Sequence, residues 1–390
     1  MRRLVAAGCF TLAFATASCA ALLGFDRLEE GTLGPDGAPF EEASSDGDGG
    51  PDPRCVSLGV PDPPTGPSGG AMEITGALRT LDFGVSLDGG VSSAPGFNLD
   101  RTCSTTLETS SCTAAITASS FDGLIADKAG GIDNSAFGLL ALISGVSTTF
   151  NTDSISRGVS DGLYGATFRV RGWNGQPNDT DLDVEFFPAL GSAGGGMDGG
   201  LAYDTTDRWL IDQRFRLAVD VDGAAIRSQS AYLRDGQLVA RFKSLTIEAI
   251  IGDDTKPFEI TLDDAVLTGK LEGEGGSFLA GGVLGGRWSA ARFLDQVRQI
   301  YVRNGNGILR ANVCEGGDAG RFLYDTVKSF TCDVRDLRGD SQDNRGLPCD
   351  SVSAAARIEG YRTGIGTWTD FAAIPVRCAD AGDFATACPN

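Results

Sequence analysis

Ser230-Ala231-Tyr232-Leu233-Arg234-Asp235-Gly236-Gln237-Leu238-Val239-Ala240 decides the fold class. Two short apolar runs flank an Asp-Gly pair. The central residues of a type I′ turn need positive φ, which Asp tolerates and Gly adopts freely, so the stretch predicts a tight β-hairpin. Working outward, the same pattern repeats. Phe168 and Val170 alternate with Arg169 and Arg171, and Leu182, Val184 and Phe186 with Asp181, Asp183 and Glu185. Phe215, Leu217, Val219 and Val221 alternate with Arg214, Arg216, Ala218 and Asp220. Leu245, Ile247, Ala249 and Ile251 follow, then Phe258, Ile260 and Leu262 against Glu259, Thr261 and Asp263. Period two puts apolar residues on one sheet face and polar residues on the other. Asn174-Gly175 and Asp222-Gly223 supply further hairpin turns.

Helical pattern is sparse. Ala290, Phe293, Leu294, Val297 and Ile300 share one helical face, with Ser289 as cap and Asn304-Gly305 as stop. A weaker helix covers Ser135 to Ile143, and Val352, Ala354, Ala356 and Ile358 mark a strand in a tail otherwise read as short strands and loops. The expectation is a mainly β, antiparallel β-sandwich or jelly-roll-like domain with one or two short helices, stapled by disulfides.

Composition limits the chemistry. The chain has 390 residues, 55 of them Gly, no His, and a net charge of -20. Without His there is no Ser-His or Cys-His nucleophile activation and no His-ligated metal or haem. The acidic balance argues against nucleic acid, which demands a basic face.

Met1-Arg2-Arg3 and the apolar run Leu4 to Ser18 have the form of a signal peptide, too short to span a membrane. Thr16-Ala17-Ser18-Cys19 places small residues before a cysteine, and Cys19 is the expected lipidation site. Residues 19–70 are rich in Pro, Gly and acids and read as a disordered tether. Residues 71–390 form a single β-rich domain, with a cysteine-rich part at 314–390. Eight cysteines are disulfide candidates: Cys55, Cys103 and Cys112 early, and Cys314, Cys332, Cys349, Cys378 and Cys388 late. Both groups are odd, so full pairing requires at least one early-to-late bridge. Cys103 with Cys112 is the nearest local pair.

Cys19 followed by Ala20-Ala21-Leu22-Leu23-Gly24-Phe25, the segment Asp127-Lys128-Ala129-Gly130-Gly131-Ile132-Asp133-Asn134, the run Gly281-Gly282-Val283-Leu284-Gly285-Gly286-Arg287-Trp288 and Cys349-Asp350-Ser351-Val352-Ser353 make up a thin pattern over most of the chain. In these features the chain resembles a set of uncharacterised secreted lipoproteins abundant in myxobacteria and related bacteria. The resemblance implies a location in the cell envelope, at the outer membrane, and carries no activity with it.

Asp127, Asp133 and Asn134 flank a Gly-Gly turn and form the best oxygen-ligand set for calcium, against a bland alternative of a turn and helix cap. Calcium is the one cofactor the sequence leaves open. Trp173, beside Asn174-Gly175, is a candidate ligand-stacking residue, against a packed aromatic at a sandwich edge. No catalytic residue is assigned. The expected role is a lipid-anchored envelope protein with a binding or structural function, its partners the membrane and a polysaccharide or envelope protein. The alternatives are a calcium-assisted glycan-binding module and a carboxylate-based glycan hydrolase.

Overall fold

The computed structural model describes residues 59–66, 68–84, 94–103, 111–113, 127–128, 131–146, 152–193, 201–215, 226–250, 257–271, 277–303, 310–340, 346–369 and 384–388. In chain order the elements are β1 (Met72–Asp82), α1 (Ser135–Val146), α2 (Thr152–Ser160), β2 (Gly165–Trp173), β3 (Asp183–Ser192), β4 (Trp209–Asp212), β5 (Ile226–Arg227) and β6 (Ser230–Arg234). Then come β7 (Gln237–Ile250), β8 (Pro257–Leu271), β9 (Ser277–Ser289), α3 (Ala290–Val297), β10 (Tyr301–Arg303), β11 (Arg310–Asn312), α4 (Gly317–Asp333), β12 (Ser351–Arg362) and β13 (Thr367–Thr369).

The protein is mainly β and antiparallel. One sheet runs β13-β4-β3-β2-β1-β12-β9-β8-β7-β6, with β5 also on β3; β10 and β11 form a separate ribbon. Among the named strands, every pairing is antiparallel except β13 with β4. The facing layers come from one continuous curled sheet. Ile226 and Arg227 pair with Phe186 and Glu185, and Asp179 bridges Leu233, so the β5-β6 end returns against β3. Aromatic rings fill the space inside this curl. Phe168 lies 5.0 Å from Phe186 and 5.9 Å from Phe278, and Phe186 lies 6.5 Å from Phe242, between ring centroids. Each such fully buried side chain contributes roughly 1.5–3 kcal/mol of transfer free energy.

The deciding hairpin forms as expected. Asp235 and Gly236 have φ of 53° and 80°, the paired positive values of a type I′ turn, and Ala231 sits opposite Ala240. The helix after Ser289 also forms, its first turn capped by the Ser289 hydroxyl accepting from the Arg292 amide at 3.4 Å. It stops at Val297 rather than continuing to Asn304, and α1 runs three residues past Ile143. The strand expected over Phe215–Val221 is corrected at its start, where Gln213 to Phe215 make a helical turn; residues 216–225 lie outside the described residues, as does Asp222-Gly223. Two helices were not anticipated. In α4, Gly320, Tyr324, Val327 and Thr331 bury one face; in α2, Thr152, Ile155, Gly158 and Val159 do so.

Disulfides join distant parts of the chain. Cys112 bonds Cys349, the early-to-late bridge that parity requires, so the local Cys103–Cys112 pairing is wrong. Thr113 and Pro348 form a parallel bridge beside it, which brings the two sulfurs together. Cys332, near the end of α4, bonds Cys388. Here Tyr324 stacks edge-on against Phe384, and its hydroxyl donates to the Ala385 carbonyl at 3.1 Å. Cys103 and Cys314 are each disulfide-bonded as well. Cys19, Cys55 and Cys378 lie outside the described residues. No helix among the described residues is long and apolar enough to cross a membrane.

Candidate functional site

Residues 94–103 lie along the face of the sheet opposite the aromatic core. Phe97 and Leu99 pack there with Val266 of β8 and Leu337. Gly285 makes this possible, because a Cβ at that position would stand 2.9 Å from the Phe97 ring. Two of the residues expected at a calcium site, Asp133 and Asn134, hold this segment. The Asp133 amide donates to the Phe97 carbonyl at 2.9 Å. The Asp133 carboxylate accepts from the Leu99 amide at 2.5 Å and the Asp100 amide at 3.3 Å. Asn134 donates to the Pro95 carbonyl at 2.6 Å, while its side-chain oxygen accepts from the Phe137 amide at 3.2 Å and so caps α1.

The structure does bring Asp127 and Asp133 close together, with Asp100 and Asp336. Burial, then repulsion from Asp100, Asp336 and Asp127, raises the Asp133 carboxyl well above the ordinary range. Burial likewise pushes Asp336 up to about 7, although the Ser353 amide donates to it at 2.7 Å. Lys128 stands beside them, its ammonium pKa lowered by burial against the pull of Asp336 and Asp127. Among the described residues no three carboxylate or thiolate side chains are arranged to hold a metal ion.

Between the 94–103 segment and the sheet lies a cavity of about 340 Å³. Its walls are Leu99, Asp100 and Arg101 on one side, Arg241 and Phe242 of β7, Asp264, Ala265 and Val266 of β8, Arg287 of β9, and Gln229 in the β5–β6 turn. Arg287 is buried. Its guanidinium donates to the Arg338 carbonyl at 2.6 Å and the Leu99 carbonyl at 3.0 Å, and its Nε stands 3.7 Å from Asp264. Arg101 and Asp264 have φ of 60° and 47°. Left-handed backbone at a non-glycine residue is strained, and such strain gathers where a structure over-determines a site. Sequence reasoning missed this cavity because its walls come from five separated segments. The only local signal was Asp133, which braces one wall.

A second polar cluster lies where β4 ends near β7. Glu248 of β7 sits directly opposite Glu259 of β8, a cross-strand pair that costs stability when both carboxyls are ionised unless compensated. Arg214 compensates it. Its guanidinium forms ion pairs with Glu248, with Asp212 and, at 2.9 Å, with Glu259. Asp212 and Glu248 are fully buried. Burial, then the neighbouring Asp212 charge, pushes the Glu248 carboxyl up to about 9, against the pull of Arg214. At neutral pH Glu248 is therefore an acid in hydrogen-bonding reach of Asp212. Its Oε2 is buried without a hydrogen-bond partner among the described residues.

Trp173 closes β2 opposite Met72, and its ring packs against the main core. The indole N–H donates to the Gln176 carbonyl at 2.8 Å, so its polar edge serves the turn. Compared with protein-family models, curated proteins and solved structures, the chain matches none of them.

Proposed function

We propose that this is an exported bacterial envelope protein, lipid-anchored through Cys19, whose β domain has a non-catalytic binding role. The observation that carries the reading is the pair of bridges Cys112–Cys349 and Cys332–Cys388. Bridges of this kind persist in oxidising compartments and are rare in the cytosol. They agree with an N-terminal run that reads as an export signal ending in Thr16-Ala17-Ser18-Cys19. The binding role is supported by the walled cavity beside residues 94–103. The non-catalytic reading is supported by the full burial of Glu248 and Asp212, which keeps the proton-sharing pair from any substrate.

The test is Cys19→Ala, followed by membrane fractionation and a density gradient. The parent is expected in the outer-membrane fraction and the variant in the soluble exported fraction. A variant that stays with the membrane defeats the anchor.

A further inference from the structure

We propose that the cavity between residues 99–101 and strands β7–β9 binds an acidic sugar, a hexuronate, by its carboxylate. This rests on the binding role above but not on the lipid anchor. Three arginines, Arg101, Arg241 and Arg287, stand around one space in a chain whose net charge is -20. Against them are Asp100 and Asp264, so the lining carries one excess positive charge. That balance suits a monoanion. A phosphate dianion would be left undercompensated beside two carboxylates.

The arginines divide the work. Arg287 is spent on the Arg338 and Leu99 carbonyls and supplies a fixed positive field. Among the described residues, the Arg101 guanidinium and the Gln229 side-chain amide have no hydrogen-bond or ion-pair partner. A planar guanidinium takes a carboxylate through two parallel bonds. Gln229 then meets a ring hydroxyl, and Asp264, half-exposed at the register shift within β8, accepts from another. Leu99 and Val266, which line the cavity on this face, supply an apolar wall for the C–H face of a sugar ring. A volume of about 340 Å³ lies at the small end of ligand pockets and suits one sugar residue rather than an oligomer.

The experiment measures unfolding temperature and heat of binding for the full chain with sodium glucuronate, glucose, inorganic phosphate and polygalacturonate. Glucuronate is expected to raise the melting temperature, with glucose and phosphate far weaker. Tighter binding of polygalacturonate per sugar would place the ligand in a polymer, and equal binding would place it in the free sugar; both keep the carboxylate as the recognised group. Arg101→Ala should weaken glucuronate binding about tenfold or more, the loss of a charge-assisted hydrogen bond, with no change in the unliganded melting temperature. Arg241→Ala gives an independent second variant. Glucuronate without effect, glucose equal to glucuronate, phosphate tighter than both, or Arg101→Ala binding like the parent would each overturn the proposal. Membrane retention is read separately by fractionation, so failure of the anchor and failure of the sugar site are distinguishable.

Discussion

Replacing Glu248 by Gln should stabilise the protein at neutral and alkaline pH, by an amount that grows with pH. Glu248 titrates near 4.5 in an unfolded chain and near 9 when buried beside Asp212. Between those values the folded state holds one proton that the unfolded state has released. Stability then falls as pH rises, by about 1.4 kcal/mol per unit. Below 4.5 the contribution is fully present; by pH 7 about 3 kcal/mol has been lost, and the loss levels off above 9. Glutamine has the shape of the protonated acid. Its amide donates to Asp212 and its carbonyl accepts from Arg214, but it does not titrate. Urea unfolding of parent and variant between pH 5 and 9 gives the difference directly, and subtracting one from the other cancels Asp133 and Asp336. The difference should be small at pH 5 and reach about 3 kcal/mol in favour of Glu248→Gln at pH 7. A difference that stays flat across this range would refute the buried acid.

Two further outcomes follow from the geometry. Asn134→Ala removes both the cap on α1 and the bond to the Pro95 carbonyl, and should cost about 2 to 3 kcal/mol in urea unfolding; a loss within experimental error would mean that residues 94–103 are held by other contacts. Cys332→Ala with Cys388→Ala opens a loop of 56 residues and should cost about 4 kcal/mol by chain entropy. A loss below about 1 kcal/mol would show that Tyr324 and Phe384 hold the tail without the bridge.

Features with a local cause were legible in the sequence. The Asp235-Gly236 turn depends on two residues whose backbone preferences are their own, and the Ser289 cap on one hydroxyl and the next turn of helix. Features set by register were not. Glu248 looks like an ordinary polar position within Leu245–Ala249. Only the pairing of β7 with β8 puts it opposite Glu259, and only the path of β4 brings Arg214 to both. Cys112 has a cysteine nine residues away, yet its partner lies 237 residues along the chain. The face of α4 was readable as period 3.6, but its Gly316-Gly317 start hid the helix, since glycine weakens both cap and first turn. The role of Asp133 was half visible. Its acidity and its glycine-flanked turn marked it as an oxygen acceptor, but not that the amides of Leu99 and Asp100 would donate to it.

The placement of β1 has a mechanical consequence. This first strand of the sheet lies between β2 and β12, paired along Met72–Ala77 with one and along Gly76–Asp82 with the other. Ladder bonds run across the strands, so a pull directed along β1 acts at right angles to them. Such a load must shear two ladders together rather than unzip one bond at a time. A load along β1 thus meets the resistance of a strand paired on both sides rather than that of an edge strand.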